Sequence, residues 1–124
     1  MDFAEGVKNI VRQDSRFSPE AYYFVSEALS HTQEVLGRKG HVSGQELLDG
    51  LKRFALNEFG YMARVVLESW GVRQTEDIGQ IVFNLIDNGL LGKTEEDRKE
   101  DFAQGYDFRK AFDNSFNLDF EPPD

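Results

Sequence analysis

The apolar side chains recur at helical spacing as far as about residue 89 and at a shorter period beyond it. Phe3, Val7, Ile10 and Val11 form one stripe, which predicts a short first helix over residues 3–13. "SRFSP" breaks it. Ser18 followed by Pro19 is a helix start, a cap hydroxyl and then a ring whose missing N–H costs nothing at that position. The second helix carries Tyr22, Val25, Leu29, Thr32 and Leu36 on one face, with Ala21, Phe24 and Ala28 beside them, and Gly37 ends it. His41-Val42 suits a short extended segment. Ser43 with Glu46 is a capping box opening a third helix, which carries Leu47, Leu48, Leu51, Phe54, Ala55 and Phe59 before Gly60. A fourth helix is expected to bury Met62, Val65, Val66 and Trp70 and to stop at Gly71. Thr75 is the expected cap of a fifth, with Glu76 and Asp77 in its first turn and a stripe of Ile78, Ile81, Val82, Leu85 and Ile86. Gly89 is its stop, and Leu90 is placed to make the hydrophobic contact that accompanies such stops.

Past Thr94 the rhythm changes. Phe102, Gln104, Tyr106 and Phe108 alternate with smaller or polar residues, the period of a strand. Leu90 to Thr94 is the candidate partner strand. Glu95 to Asp101 is then either a hairpin tip or a short helix capped by Thr94. The expectation is one mainly α domain over residues 1–112, with about five helices and a C-terminal β-hairpin, followed by an acidic, Phe-containing tail over 113–124. The order of helix, "HVS", helices, a helix ending "NLIDNGLLGK", polar loop and alternating strand resembles a winged-helix domain over about residues 19–110. Over nearly the whole chain, "HVSGQELLDGLKRFALNEFGYMARVVLESWG", "TEDIGQIVFNLIDNGLLGKTEEDRKEDF" and "YDF" resemble a small uncharacterised bacterial family, the Minf-type family of planctomycetes and verrucomicrobia. That resemblance implies kinship and carries over no functional residue.

Composition narrows the chemistry. The 124 residues contain no cysteine, which removes disulfides, thiolate metal sites and Cys nucleophiles. No apolar run approaches the roughly 20 residues of a membrane helix, and the charged N-terminus lacks a signal-peptide core, so a cytoplasmic protein without membrane contact is expected. The net charge is −9 and lies mostly in one part. Residues 1–74 hold 9 basic and 10 acidic residues, whereas residues 75–124 hold 5 basic and 13 acidic. The second part repels phosphate backbones and attracts basic partners.

"NGLLGKT" invites comparison with a phosphate-binding loop. That loop needs a glycine five residues before Gly92, where this chain has Asp87, and a strand before it, where this chain has a helix. Nucleotide binding there is not expected. Nor is DNA binding through the fifth helix, which has Glu76, Asp77 and Asp87 and no Lys or Arg; its outward Gln80, Asn84 and Asn88 could touch base edges but lack an electrostatic footing. Lys93, Arg98 and Lys99 are outnumbered by five acids between Glu95 and Asp101. A nucleic-acid regulator would have to use the scattered Arg38, Lys39, Lys52, Arg53 and Arg64.

His31 and His41 are too few for a zinc site. Asp113, Ser115, Asn117 and Asp119 imitate the start of a calcium loop but lack its glycine and final glutamate, and the 95–101 acids could hold a divalent ion only loosely. Ser18, Ser43 and Thr75 are accounted for as caps, and no nucleophile elbow occurs. No cofactor, metal site or catalytic residue is expected, and a small enzyme is the third-ranked reading. Phe102, Tyr106, Phe108, Phe112, Phe116 and Phe120 run through the acidic segment. Either they pack back on the helices, or they anchor a docking surface for a basic protein or a second copy. The second reading makes the chain a non-catalytic protein–protein interaction module.

Overall fold

The computed structural model describes residues 2–38, 40–92, 99–103 and 105–114. Five α-helices, α1 Phe3–Gln13, α2 Pro19–Leu36, α3 Gly44–Phe59, α4 Ala63–Ser69 and α5 Thr75–Asp87, are followed by a 3₁₀ turn at Lys99–Phe102 and a π-helical turn at Arg109–Asn114. The chain is mainly helical, and no strand occurs among the described residues.

The helices begin and end where local chemistry directs. Asp2 caps α1 by accepting from the Glu5 N–H at 2.8 Å. The Ser43–Glu46 capping box is complete, each side chain accepting the other's backbone N–H. Gly37, at φ 68°, lets the Gly37 and Arg38 amides turn back on the end of α2. Gly89, at φ 73°, does the same for α5, and the Leu90 N–H donates to the Leu85 carbonyl at 2.9 Å. Leu90 then lies on Gly6, where an added methyl would stand 2.5 Å from it, so the stop of α5 also docks α1.

Two expected caps work differently. Ser18 precedes α2, but its hydroxyl accepts no cap hydrogen bond. Pro19 has no N–H, and the Ala21 N–H is already bonded to the Ser18 carbonyl at 3.0 Å. The Ser18 N–H instead donates to the Trp70 carbonyl at 3.0 Å. Thr75 is the first residue of α5, not its cap. It is buried, its hydroxyl oxygen accepts the Gly105 N–H at 3.2 Å, and Asp77 reaches back to accept the Arg73 N–H at 2.9 Å.

The core is built on the α2–α3 pair, with α5 packed on both and α1 lying on α2 and α5. The α2–α3 crossing is close because Gly50 faces Thr32, leaving no room for a side chain. Thr32 is buried, and its hydroxyl is satisfied by the Ala28 carbonyl at 2.7 Å. Helix α4 buries Ala63 and Leu67 rather than the expected Met62 and Val65, which are 43% and 49% exposed. The cause is the 3₁₀ turn at Gly60–Met62, where Gly60 (φ 56°, ψ −134°) starts α4 in a new phase.

The period-two reading of residues 102–108 is corrected. Phe102 ends the 3₁₀ turn, residues 105–107 are irregular and Phe108 leads into the π-helical turn. Small residues and aromatic slots decide this. Phe102 enters a slot where methyl groups at Gly44 and Gly79 would stand 3.3 Å and 2.7 Å from it, joining the start of α3 to α5. Tyr106, Phe108 and Phe112 form a mutual cluster with centroid spacings of 5.1–6.1 Å. Burying large aromatic faces outweighs the weak preference for a strand. Leu91 and Gly92 form no strand, and residues 93–98 lie outside the described residues, as does most of the expected hairpin tip.

Candidate functional site

The six aromatics of the expected docking surface divide three ways. Phe102, Phe108 and Phe112 are core residues, 4%, 4% and 0% exposed, and have no free face to offer a partner. Tyr106 is half-buried. Its hydroxyl donates to the Leu48 carbonyl at 2.8 Å, Lys52 stands over its ring at 5.6 Å, and burial pushes its phenol far above the ordinary value. Phe116 and Phe120 lie outside the described residues. Asp113, the first residue of the expected tail, is held by Arg64 at 2.9 Å. The segment from Lys99 to Asn114 therefore wraps over α3, α4 and α5 as part of the core.

The cations of the nucleic-acid reading are similarly occupied. Arg38 pairs with Glu46, whose carboxyl is held below its ordinary value first by the Ser43 N–H and then by Arg38. Arg53 pairs with Asp49 at 3.3 Å, and Arg64 binds both Glu68 and Asp113. Lys39 lies outside the described residues. Asn84, expected to face outward, instead donates to Asp14 and to the Tyr22 hydroxyl, both at 3.1 Å.

That last contact belongs to a polar cluster of Asp14, Arg16, Tyr22, Gln80 and Asn84. Arg16 makes two bonds to the Asp14 carboxylate, at 2.9 and 2.7 Å. With the Arg16 and Asn84 donors this drives the Asp14 carboxyl far below its usual range, Arg16 contributing most. Burial raises the Tyr22 phenol. Gln80 donates to Asn84 at 2.8 Å, so both ends of the Asn84 amide are engaged. These groups satisfy one another and tie the α1–α2 corner to α5. No group of three or more potential metal ligands converges among the described residues.

Among the concavities that the packing leaves are a trough of about 370 Å³ between α2, the start of α3 and α5, a shallower one of about 430 Å³ at the end of α2 beside Glu34 and Arg38, and one of about 340 Å³ beside Lys52, Asp101 and Tyr106. Leu29 of α2, Val42 and Leu47 at the start of α3, Val82 and Ile86 of α5, and Leu91 line the first of these. Phe102 forms part of its floor, and Gly40, His41 and Gly92 stand at its mouth. Gln33 spans one wall, its amide donating to the Gly40 carbonyl at 2.9 Å. Asp101 stands against Gly44 and Phe102, and the exposed Glu34 and Asp87 follow the lining residues Gln33 and Ile86 in sequence. The trough itself is lined mainly by apolar side chains, and Glu34 and Asp101 face neighbouring concavities. A second apolar strip, Tyr61, Met62 and Val65, is exposed on the turn before α4 and on α4 itself.

Comparison with family models, with curated proteins and with solved structures returns no match. The geometry therefore stands alone as evidence of what the molecule does. The trough residues were visible in the sequence only as members of helical stripes. Leu29 and Ile86 carry the same signal as the buried Val25, Ile81 and Leu85, and periodicity does not separate a covered position from a half-covered one.

Proposed function

We propose that this protein is a non-catalytic interaction module that receives the apolar part of another protein in the trough between α2, α3 and α5. The observation that carries this reading is the trough itself. Its lining comes from α2, the start of α3, α5 and the inserted Phe102, with Gln33 and His41 as its polar side chains. Concave apolar sites with a few polar groups at the edge are the usual form of binding sites. The reading keeps the expected preference for a basic partner and moves the contact from the C-terminal aromatics to the surface they help to build.

An enzymatic reading has less support, because the shifted Asp14 is held by Arg16 and Asn84 and the Tyr106 hydroxyl is tied to the Leu48 carbonyl, both away from the trough. No helix among the described residues is long and apolar enough to cross a membrane.

Gly92 lines the trough, meets no described atom within 4 Å of an added methyl and lies outside the left-handed region, so a phenylalanine there is the chosen plug. A displayed library of random 16-residue peptides is to be selected on the wild type and counter-selected on Gly92→Phe. Groove-dependent sequences are expected. Enrichment that survives the plug unchanged, or no enrichment, ends the reading.

A further inference from the structure

The place where the chain leaves the described structure is fixed. The π-helical turn Arg109–Asn114 lies on α4, and the Asp113 carboxylate accepts from the Arg64 guanidinium at 2.9 Å. The same guanidinium binds Glu68 one turn further along α4, and Phe112, next to Asp113, is fully buried. The residues beyond 114 are therefore tethered beside α4.

Next to that tether, α4 and the turn before it expose apolar side chains. Met62 and Val65 are exposed, with the exposed Tyr61 beside them, and these are three of the six large apolar residues exposed among the described residues. Val65 follows Arg64 directly and Tyr61 precedes it by three, so the strip begins within one helical turn of the anchor. It shares no residue with the lining of the trough.

The tethered segment has side chains to match. Phe116, Leu118 and Phe120 alternate with Ser115, Asn117, Asp119 and Glu121, so an extended course sets three apolar side chains on one side and polar ones on the other. Three residues of extended chain span at most about 10 Å, which keeps Phe116 close to Arg64 and the strip within its reach. A link this short gives a millimolar effective concentration, an advantage that no outside segment has. Mutual burial removes apolar surface from water on both partners.

We propose that residues 116–120 fold back on their own chain and run extended across the face of α4. Phe116 and Phe120 seat on Met62 and Val65, and the Asp113–Arg64 pair fixes the point of entry. The strip is then an internal seat rather than a surface for another protein.

Nuclear magnetic resonance of the full chain, labelled at its Met and Val methyl groups, tests this. Ring protons of Phe116 or Phe120 are expected to show cross-relaxation with the Met62 and Val65 methyls. Replacing both rings, Phe116→Ser with Phe120→Ser, is expected to shift those methyl signals while the signals of the buried Val7 and Val25 stay in place. Val65→Asp should in turn move the amide signals of residues 116–120 toward random-chain values. The paired tail substitutions alter no described residue, so they decide the question if Val65→Asp fails to fold. Met62 and Val65 signals that do not move when both rings are lost overturn the proposal. Cross-relaxation that arises only between a labelled and an unlabelled chain in a mixed sample makes a second copy the occupant and overturns it as well.

Discussion

At the scale of single residues, Phe102 carries the most weight. Its ring is held between Gly44 and Gly79, so it acts as a peg joining two helices and as part of the trough floor. Phe102→Ala is expected to cost about 3–5 kcal/mol, since it removes a buried aromatic and leaves a cavity. Chemical denaturation measures this, and an unchanged midpoint would restore Phe102 to the role of a surface anchor. Gly50 is the reverse case. Alanine there gains helix propensity of about 1 kcal/mol, but its methyl collides with the buried Thr32. Overpacking of about 1–3 kcal/mol should prevail, lowering the melting temperature of Gly50→Ala, whereas a rise would mean that α2 and α3 can separate freely. Neither role was legible in the sequence. A phenylalanine in an acidic alternating segment suits a strand, a core or an interface equally, and a mid-helix glycine does not say what it faces.

At the scale of elements, α1, α2 and α5 are joined by a polar knot rather than by apolar contact alone. Asp14 closes α1, Arg16 lies in the loop, Tyr22 is on α2 and Asn84 is on α5. The Asp14 carboxyl is depressed in the folded state below its ordinary 3.8. Its contribution to stability is therefore complete above the unfolded value and is lost as pH falls through the range down to the folded one. Asp14→Asn should lower stability by about 1–3 kcal/mol near neutrality. The gap to wild type should narrow below about pH 4 as the unfolded chain's carboxyl takes up its proton. Denaturant titrations between pH 2 and 7 test this, and a gap independent of pH would mean that shape rather than charge matters at Asp14. The elements themselves were largely readable. The starts at Pro19 and Ser43 and the stops at Gly37, Gly60 and Gly89 follow from local chemistry that neighbours need not supply. The phase of α4 was not, because one glycine turn rotated it away from the face its own pattern suggested.

At the scale of the whole molecule, charge and packing point the same way. The net charge is −9, and Arg38, Arg53 and Arg64 are engaged by carboxylates, so weak affinity for phosphate backbones is predicted. Duplex DNA should give no retarded band even at low salt, and a retarded band whose affinity falls linearly with the logarithm of salt would reverse this. The Lys99–Asn114 wrap closes the fold over α3, α4 and α5 through Phe102, the Tyr106 hydroxyl and the Arg64–Asp113 pair. Tyr106→Phe should cost about 1 kcal/mol, the net worth of one hydrogen bond, read as a shift in the denaturation midpoint with the slope unchanged. A change in slope would mean instead that the wrap unfolds separately.

By itself the sequence determined the helical class, the main helix boundaries and the acid excess of residues 75–124, because periodicity, caps and charge are properties of neighbours along the chain. It also gave no ground to expect a phosphate loop at "NGLLGKT", since Asp87 and a preceding helix stand where a glycine and a strand are required. The tertiary structure alone decided where the C-terminal aromatics go, which cations are already matched and where the surface remains concave. Those outcomes depend on residues far apart in sequence: Gly79 admitting Phe102, Asp113 reaching Arg64, and Leu29 and Ile86 lining one trough.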